Sequence, residues 1–290
     1  MLILSNYCII NNDVIIILES IITKPKVMIK KILWINNFAS FLGGAEKYIY
    51  ETVKELKERD VQSYLLYSIK NLPNESFTNL FEGVFPAVNP IEQVLEIDPD
   101  IIYIQSFHNC AHIKSLLSLK IPIVKFYHDH EMFCLRGSKI KTISGKTCTK
   151  DIGLRCYPCG GFVRKKEGNL KFQTLAGLRS RLEIDKEISG YIVSTNYMKN
   201  QLERYGFIKN KIFLNELYLY NLHEKTKVQK DFNRILFAGQ LIRGKGLDLL
   251  LSSLSKSPSN LVLDICGEGK LREEMERLSV RLSISNRVHF

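Results

Sequence analysis

The sequence predicts an α/β protein built on parallel sheets, and three observations carry that expectation. From Lys31 onward, short apolar and β-branched runs alternate with amphipathic stretches, the order that βαβ units produce. Runs such as Ile32 to Ile35 are apolar throughout rather than alternating, as for strands covered on both faces. A polar stretch, Glu224 to Asp231, then interrupts the pattern before it restarts at Arg234. The expected organisation is an extension of uncertain relevance over 1–27, a complete α/β domain over 28–223, a linker over 224–233 and a partial second α/β domain over 234–290.

The elements follow in order. After the strand at Ile32–Ile35, a loop ends in Gly43-Gly44 and a helix runs from about Ala45 to Arg59. Ala45, Tyr48, Ile49, Thr52, Val53 and Leu56 form its apolar stripe at helical spacing. Strands are expected at Gln62–Tyr67, Ile101–Gln105, Ile121–Tyr127 and Tyr191–Ser194. A helix at Tyr197–Tyr205 is closed by Gly206, a natural C-terminal cap. The second series reads as a strand at Arg234–Ala238, a helix at Gly246–Ser255, a strand at Leu261–Cys266, a helix at Leu271–Leu282 and a strand at Val288–Phe290. The chain stops there, inside a pattern, and is read as C-terminally truncated. Ligands of such sheets bind at the carboxyl ends of the strands, where Asn36, Asn37, Ser106 to Asn109, His128 to Glu131, Thr195 and Asn196 are polar.

A hydrophobic fraction of 45% and a charged fraction of 24% exclude a disordered chain. The formal charge of +11 fits solvated lysine-rich faces, attraction to an anionic membrane, or a phosphate-bearing substrate. Nucleic acid is not expected, because no binding motif accompanies the charge. Seven cysteines in 290 residues do not make a secreted disulfide scaffold; Cys8, Cys110 and Cys266 have apolar neighbours and read as reduced core residues. The apolar run Val14 to Leu18 is too short to span a bilayer and lacks the flanks of a signal peptide. The expected location is cytoplasmic, with peripheral attachment to the inner membrane face as an option.

Two stretches carry a family resemblance. Ile235 to Leu250, containing Gly239-Gln240, Arg243 and Gly244-Lys245-Gly246, resembles the strand-loop-helix that opens the donor domain of family-4 (group 1) glycosyltransferases. Leu261 to Phe290, with Cys266-Gly267-Glu268-Gly269 and Leu271-Arg272-Glu273-Glu274, is similar to the next repeat of that domain. Gly43-Gly44-Ala45-Glu46, Asp98-Pro99-Asp100-Ile101-Ile102-Tyr103 and His128-Asp129 fall where the family has similar segments. The resemblance implies a GT-B fold, two Rossmann-like domains of which the second is partial here. It implies a hexosyltransferase-type enzyme that moves a sugar from a nucleotide diphosphate sugar with retention of configuration, in cell-envelope polysaccharide synthesis. The acceptor would be a saccharide or a lipid-linked saccharide, and catalysis would need no cofactor.

Residue roles follow from that resemblance and from chemistry. Gly43 and Gly44 leave backbone N–H groups open to a phosphate, although two glycines would also serve a tight turn. Lys245 precedes a helix, a place suited to neutralising a diphosphate leaving group. Gln240 stands where the family usually has arginine and cannot neutralise charge; Arg243 lies close enough in sequence to substitute. Gly267, Glu268 and Gly269 fit a loop near the donor, with Glu268 read as structural or solvated. His128 corresponds to a histidine near the transferred sugar, with Asp129 as its orienting partner; a hydrogen-bonded structural histidine is the plainer reading. The family's glutamate pair, seven residues apart, lies beyond Phe290, so a non-catalytic remnant or binding module is the alternative.

Cys134, Cys148, Cys156 and Cys159 stand at C-x13-C-x7-C-x2-C spacing within a Cys-rich insertion at about 131–165. A loop of that length needs a staple. Four thiolates would suit a structural zinc ion, while free thiols and disulfides stay open. A zinc-ribbon nucleic-acid protein would use the same cysteines and charge but leaves the glycine loops unexplained.

Overall fold

The computed structural model describes residues 12–21, 28–68, 72–107, 109–141, 144–166, 169–216 and 231–290. Residues 1–220 and 221–290 form two compact units. The larger unit contains helix α1 (Asn12–Ile21), β1 (Lys31–Asn36), α2 (Gly44–Lys57), β2 (Gln62–Tyr67), α3 (Glu75–Thr78), β3 (Gly83–Pro86), α4 (Pro90–Ile97) and β4 (Ile101–Ser106). It continues through α5 (Cys110–Leu117), β5 (Ile123–Tyr127), the hairpin β6 (Val163–Lys166) and β7 (Asn169–Phe172), α6 (Leu175–Lys186), β8 (Gly190–Val193), α7 (Asn196–Arg204) and β9 (Ile212–Leu214).

Seven strands pair in the order β3-β2-β1-β4-β5-β8-β9, and every pairing is parallel. The α/β class expected from the sequence is therefore the class observed. Alternation across the pleat divides the apolar side chains between two cores. Leu33, Ile35, Ile102 and Ile104 face one; Ile32, Trp34, Ile101 and Tyr103 face the other. The strand order reverses between β1 and β4, so the carboxyl ends of these two strands flank a topological switch point, where open α/β sheets hold ligands.

Residues 12–21, within the stretch read as an extension, contribute to this unit. Helix α1 buries Val14, Ile17, Leu18 and Ile21 in the second core. Ile21 Cδ1 occupies the space a side chain at Gly190 would need, 2.5 Å from the ideal Cβ position. The reason is helical spacing: positions 14, 17, 18 and 21 lie on one face, and a run too short for a membrane is the right length for a core helix.

The smaller unit contains β10 (Arg234–Ala238), α8 (Leu247–Leu254), β11 (Val262–Cys266), α9 (Arg272–Arg281) and β12 (Val288–His289), in a parallel sheet ordered β10-β11-β12. Leu241, Leu251, Leu254, Leu263, Ile265, Met275 and Val288 build its core. The opposite face of the sheet carries Arg234, Asp264 and His289, joined by hydrogen bonds of 2.6 to 3.0 Å. Leu236 is 66% exposed on the same strand. Cys266, expected in the core, is exposed, because it ends the strand with the outward phase of the pleat. Cys110 is half-buried at the start of α5, and Cys8 lies outside the described residues. Of the expected linker 224–233, only residues 231–233 are described; the Asn233 N–H donates to Asp231 there.

Candidate active site

At the switch point, Asn36 and Asn37 leave β1 beside Gln105 and Ser106 of β4. Asn36 is fully buried and its amide donates to Glu46 (3.2 Å) and to the Phe38 carbonyl (2.9 Å). Asn37 donates to Ser106 Oγ at 3.0 Å. The register slips after Ile35, pairing Asn36 with Ser106 and leaving Gln105 as the extra residue of a bulge. Bulges re-aim side chains at functional edges. Gln105 is 2% exposed, and among the described residues neither its amide oxygen nor its nitrogen has a hydrogen-bond partner; the Asn36 side-chain oxygen Oδ1 is likewise unpartnered among them. Glu46, Asn36 and Gln105 were not foreseen as a polar group. The bulge and the inward turn of Glu46 are tertiary facts with no local signature.

Gly43 caps α2 with extended backbone (φ −173°) and no side-chain cap on the helix. A Cβ at Gly44 would meet nothing within 4 Å, and one at Gly43 would meet only Glu46 Oε2 at 3.9 Å. Neither backbone strain nor protein packing requires glycine at these two positions. The tight-turn reading therefore loses its support, and open space before a helix N-terminus remains.

His128 follows β5, its ring 5.7 Å from that of Phe126, which in turn stacks on Tyr48 of α2 at 5.2 Å. Asp129 does not orient it by a hydrogen bond: its nearer oxygen is 4.0 Å from His128 Nε2. Asp129 instead accepts from the Glu131 N–H at 2.8 Å and so fixes the turn, the usual local habit of aspartate. His130, within the polar stretch His128 to Glu131, packs edge-on against Tyr197. Its Nδ1 is buried without a partner among the described residues. Burial, aided by the Lys139 ammonium, holds its pKa below the ordinary value.

In the smaller unit the two expected donor loops clasp each other. The Gly239 N–H donates to the Cys266 carbonyl (3.0 Å), Leu241 N–H to Glu268 (2.9 Å) and Leu271 N–H to Leu241 (3.0 Å). A Cβ at Gly267 would lie 1.9 Å from the Gly239 oxygen, and one at Gly269 2.4 Å from the Leu241 oxygen. These two glycines are required by close approach of backbone to backbone, whatever a ligand demands. Glu268 is solvated and pairs with Arg272 at 2.7 Å. Gly244 and Gly246 hold φ of +93° and +79°, and left-handed Gly246 caps α8 without a side-chain cap. Arg243 and Lys245 are exposed in that turn, with no ion-pair partner among the described residues. Gln240 is exposed beside them.

The four cysteines of the insertion are each half-buried and line one cavity of about 290 Å³. Among the described residues no three His, Cys, Asp or Glu side chains are grouped to hold a metal. Other contacts staple the loop. Leu135 packs on Leu175 and Leu178 of α6, Asp151 pairs with Arg204 at 2.5 Å, and the Ile152 N–H donates to Tyr205 Oη. Lys139 Nζ donates to the Lys150 carbonyl.

Residues 220–290 match the family model described as glycosyl transferases group 1. No curated protein matches the sequence. In fold the chain is similar to Anabaena HepE in complex with UDP and glucose, at a TM-score of 0.57 and 15% identity over 90% of this chain and 68% of that one. It is similar to WaaG, a glycosyltransferase involved in lipopolysaccharide biosynthesis, at 0.54 and 13% identity over 89% and 69%. S. aureus TarM, in complex with α-GlcNAc-glycerol and UDP, follows at 0.57 and 8% identity over 89% and 76%. At these identities the likeness is one of fold, that of the GT-B glycosyltransferases. No helix among the described residues is long and apolar enough to cross a membrane.

Proposed function

We propose, from a group 1 glycosyltransferase segment carried on a GT-B fold, that this chain serves a retaining, nucleotide-sugar-dependent sugar transfer. The acceptor is a saccharide or lipid-linked saccharide of envelope polysaccharide synthesis. The observation that carries the reading is the pair of exposed cations, Arg243 and Lys245, without an ion-pair partner among the described residues, in the left-handed glycine turn ahead of α8. Departure of a nucleoside diphosphate places growing negative charge on its phosphates. Fixed cations and a helix N-terminus lower the energy of that charge without reorganisation. Gln240 leaves the site one cation short of the family pattern, and Arg243 takes that role. The carboxyl edge of the seven-stranded sheet, with His128, belongs to acceptor and sugar, and Gly43 and Gly44 there offer backbone N–H groups to a phosphate; Asp129 shapes the turn that presents His128.

UDP is the probe of choice, since HepE and TarM bind it. In calorimetric titration the chain is expected to bind UDP, and Lys245→Gln and Arg243→Gln to weaken it about tenfold each, the loss of roughly 1.4 kcal/mol. Saturable UDP binding that both variants leave unchanged would overturn the assignment of these cations. Absence of UDP binding would favour the alternative, a binding module without donor chemistry.

A further inference from the structure

The insertion between β5 and α6 carries a surface that the transferase reading does not use. Between residues 131 and 172 the sequence has ten Lys and Arg against three Asp and Glu, so +7 of the chain's +11 sits in this one stretch. The single acid at its centre, Asp151, is already paired with Arg204. Lys141, Lys146, Lys150 and Arg155 are exposed and have no ion-pair partner among the described residues. Arg164, Lys165, Lys166 and Lys171 lie on the hairpin strands.

Large apolar side chains stand out of the same stretch. Leu154 is 78% exposed, Phe172 77%, Tyr157 47% and Phe162 37%. They are neighbours. The rings of Tyr157 and Phe162 are 6.1 Å apart, and the Tyr157 N–H donates to the Leu154 carbonyl. Val163 pairs with Phe172 across the hairpin, while the Gln173 N–H donates to the Phe162 carbonyl at 2.7 Å. Apolar side chains scattered singly over a surface need no explanation, whereas a group of them rimmed by cations is a partner's footprint.

We propose that this insertion is a docking surface for an anionic lipid bilayer. Leu154 and Phe172 enter the headgroup boundary, with Tyr157 and Phe162 at the interface and the cations on lipid phosphates. Charge selects the occupant. A second copy of the chain would bring +7 against +7 and be repelled. Single-stranded nucleic acid could stack on the aromatic rings but has no use for an exposed leucine. A phosphate-bearing bilayer satisfies both the apolar and the cationic half. This inference does not depend on the transferase reading, because it needs neither donor nor acceptor.

Co-sedimentation of the full chain with sucrose-loaded vesicles tests it. Binding is expected to vesicles of phosphatidylglycerol and phosphatidylethanolamine, at least about tenfold stronger than to phosphatidylcholine, and to fall as salt rises. Leu154→Ser with Phe172→Ser is expected to reduce partitioning about tenfold, and Lys141→Gln with Lys150→Gln and Arg155→Gln by a similar factor. Leu249→Ser, on the 70% exposed Leu249 of the smaller unit, should leave partitioning unchanged. Circular dichroism verifies that each variant is folded. The proposal is overturned if anionic vesicles do not bind, if the insertion variants bind as the parent does, or if a single-stranded oligonucleotide binds while vesicles do not.

Discussion

Lys125 illustrates what a sequence conceals at the scale of one residue. It interrupts the apolar run of β5, yet it is 2% exposed, its ammonium 2.6 Å from Asp185 on α6. Tyr127 donates to the same carboxylate oxygen at 2.8 Å, and burial with the nearby Asp185 charge drives its hydroxyl pKa well above the ordinary value. Nothing near Lys125 in sequence announces a partner sixty residues away. The pair fixes how α6 lies on the sheet, but a buried ion pair is not thereby a net source of stability, since desolvation opposes attraction. Removing one partner is another matter. Asp185→Asn is expected to cost about 3–5 kcal/mol by leaving an ammonium buried without its counter-charge, whereas Lys125→Met with Asp185→Leu is expected near the parent or above it. Urea unfolding of the three proteins decides it; a single variant within about 1 kcal/mol of the parent would show that water reaches Lys125. The same contrast holds in the candidate site, where His128 and Gly44 were legible as motif residues but Gln105 became notable only through the bulge.

At the scale of elements, legibility followed signal strength. Strands β2 and β10 fall at their expected bounds, Gln62–Tyr67 and Arg234–Ala238, because apolar runs flanked by polar turns specify them. Helices α4, α5 and α6 were not read out of the sequence. The first two have eight residues each, too few turns for periodicity to assert itself, and α6 combines a charged exposed face with few apolar positions. The β6–β7 hairpin went unseen because charged residues dominate it. Helix α1 is hidden for a different reason: a short apolar run such as Val14 to Leu18 has the same composition in a leader, a membrane segment or a core helix. Its place in the core leads to a prediction. Leu18 is fully buried against the sheet, and Leu18→Ala is expected to destabilise the larger unit by about 2–5 kcal/mol through lost burial and a residual cavity. Ile16, 55% exposed on the outer side of the same helix, supplies the control: Ile16→Gln is expected to change the denaturation midpoint little. Equal midpoints for the Leu18 and Ile16 variants would mean that α1 detaches in solution.

For the molecule as a whole, the division into two parallel-sheet units was legible because the glycine-loop motifs recur after a polar interruption, each at a strand's carboxyl end. What was not legible is how differently the two units are finished. The larger has two apolar cores, one on each side of its sheet. The smaller has one core. A ligand that binds only the folded form of such a unit adds stability by mass action, about 2.7 kcal/mol at a hundredfold excess over Kd. If Arg243 and Lys245 hold a nucleoside diphosphate, saturating UDP should therefore slow amide exchange throughout β10, α8 and β11, and inorganic phosphate at the same concentration should do so far less. Hydrogen exchange read by mass spectrometry resolves the two units in one experiment. Protection in residues 234–266 that disappears in Lys245→Gln is the expected pattern. Protection confined to the seven-stranded sheet would move the nucleotide to the Gly43-Gly44 edge and take the donor role away from the smaller unit.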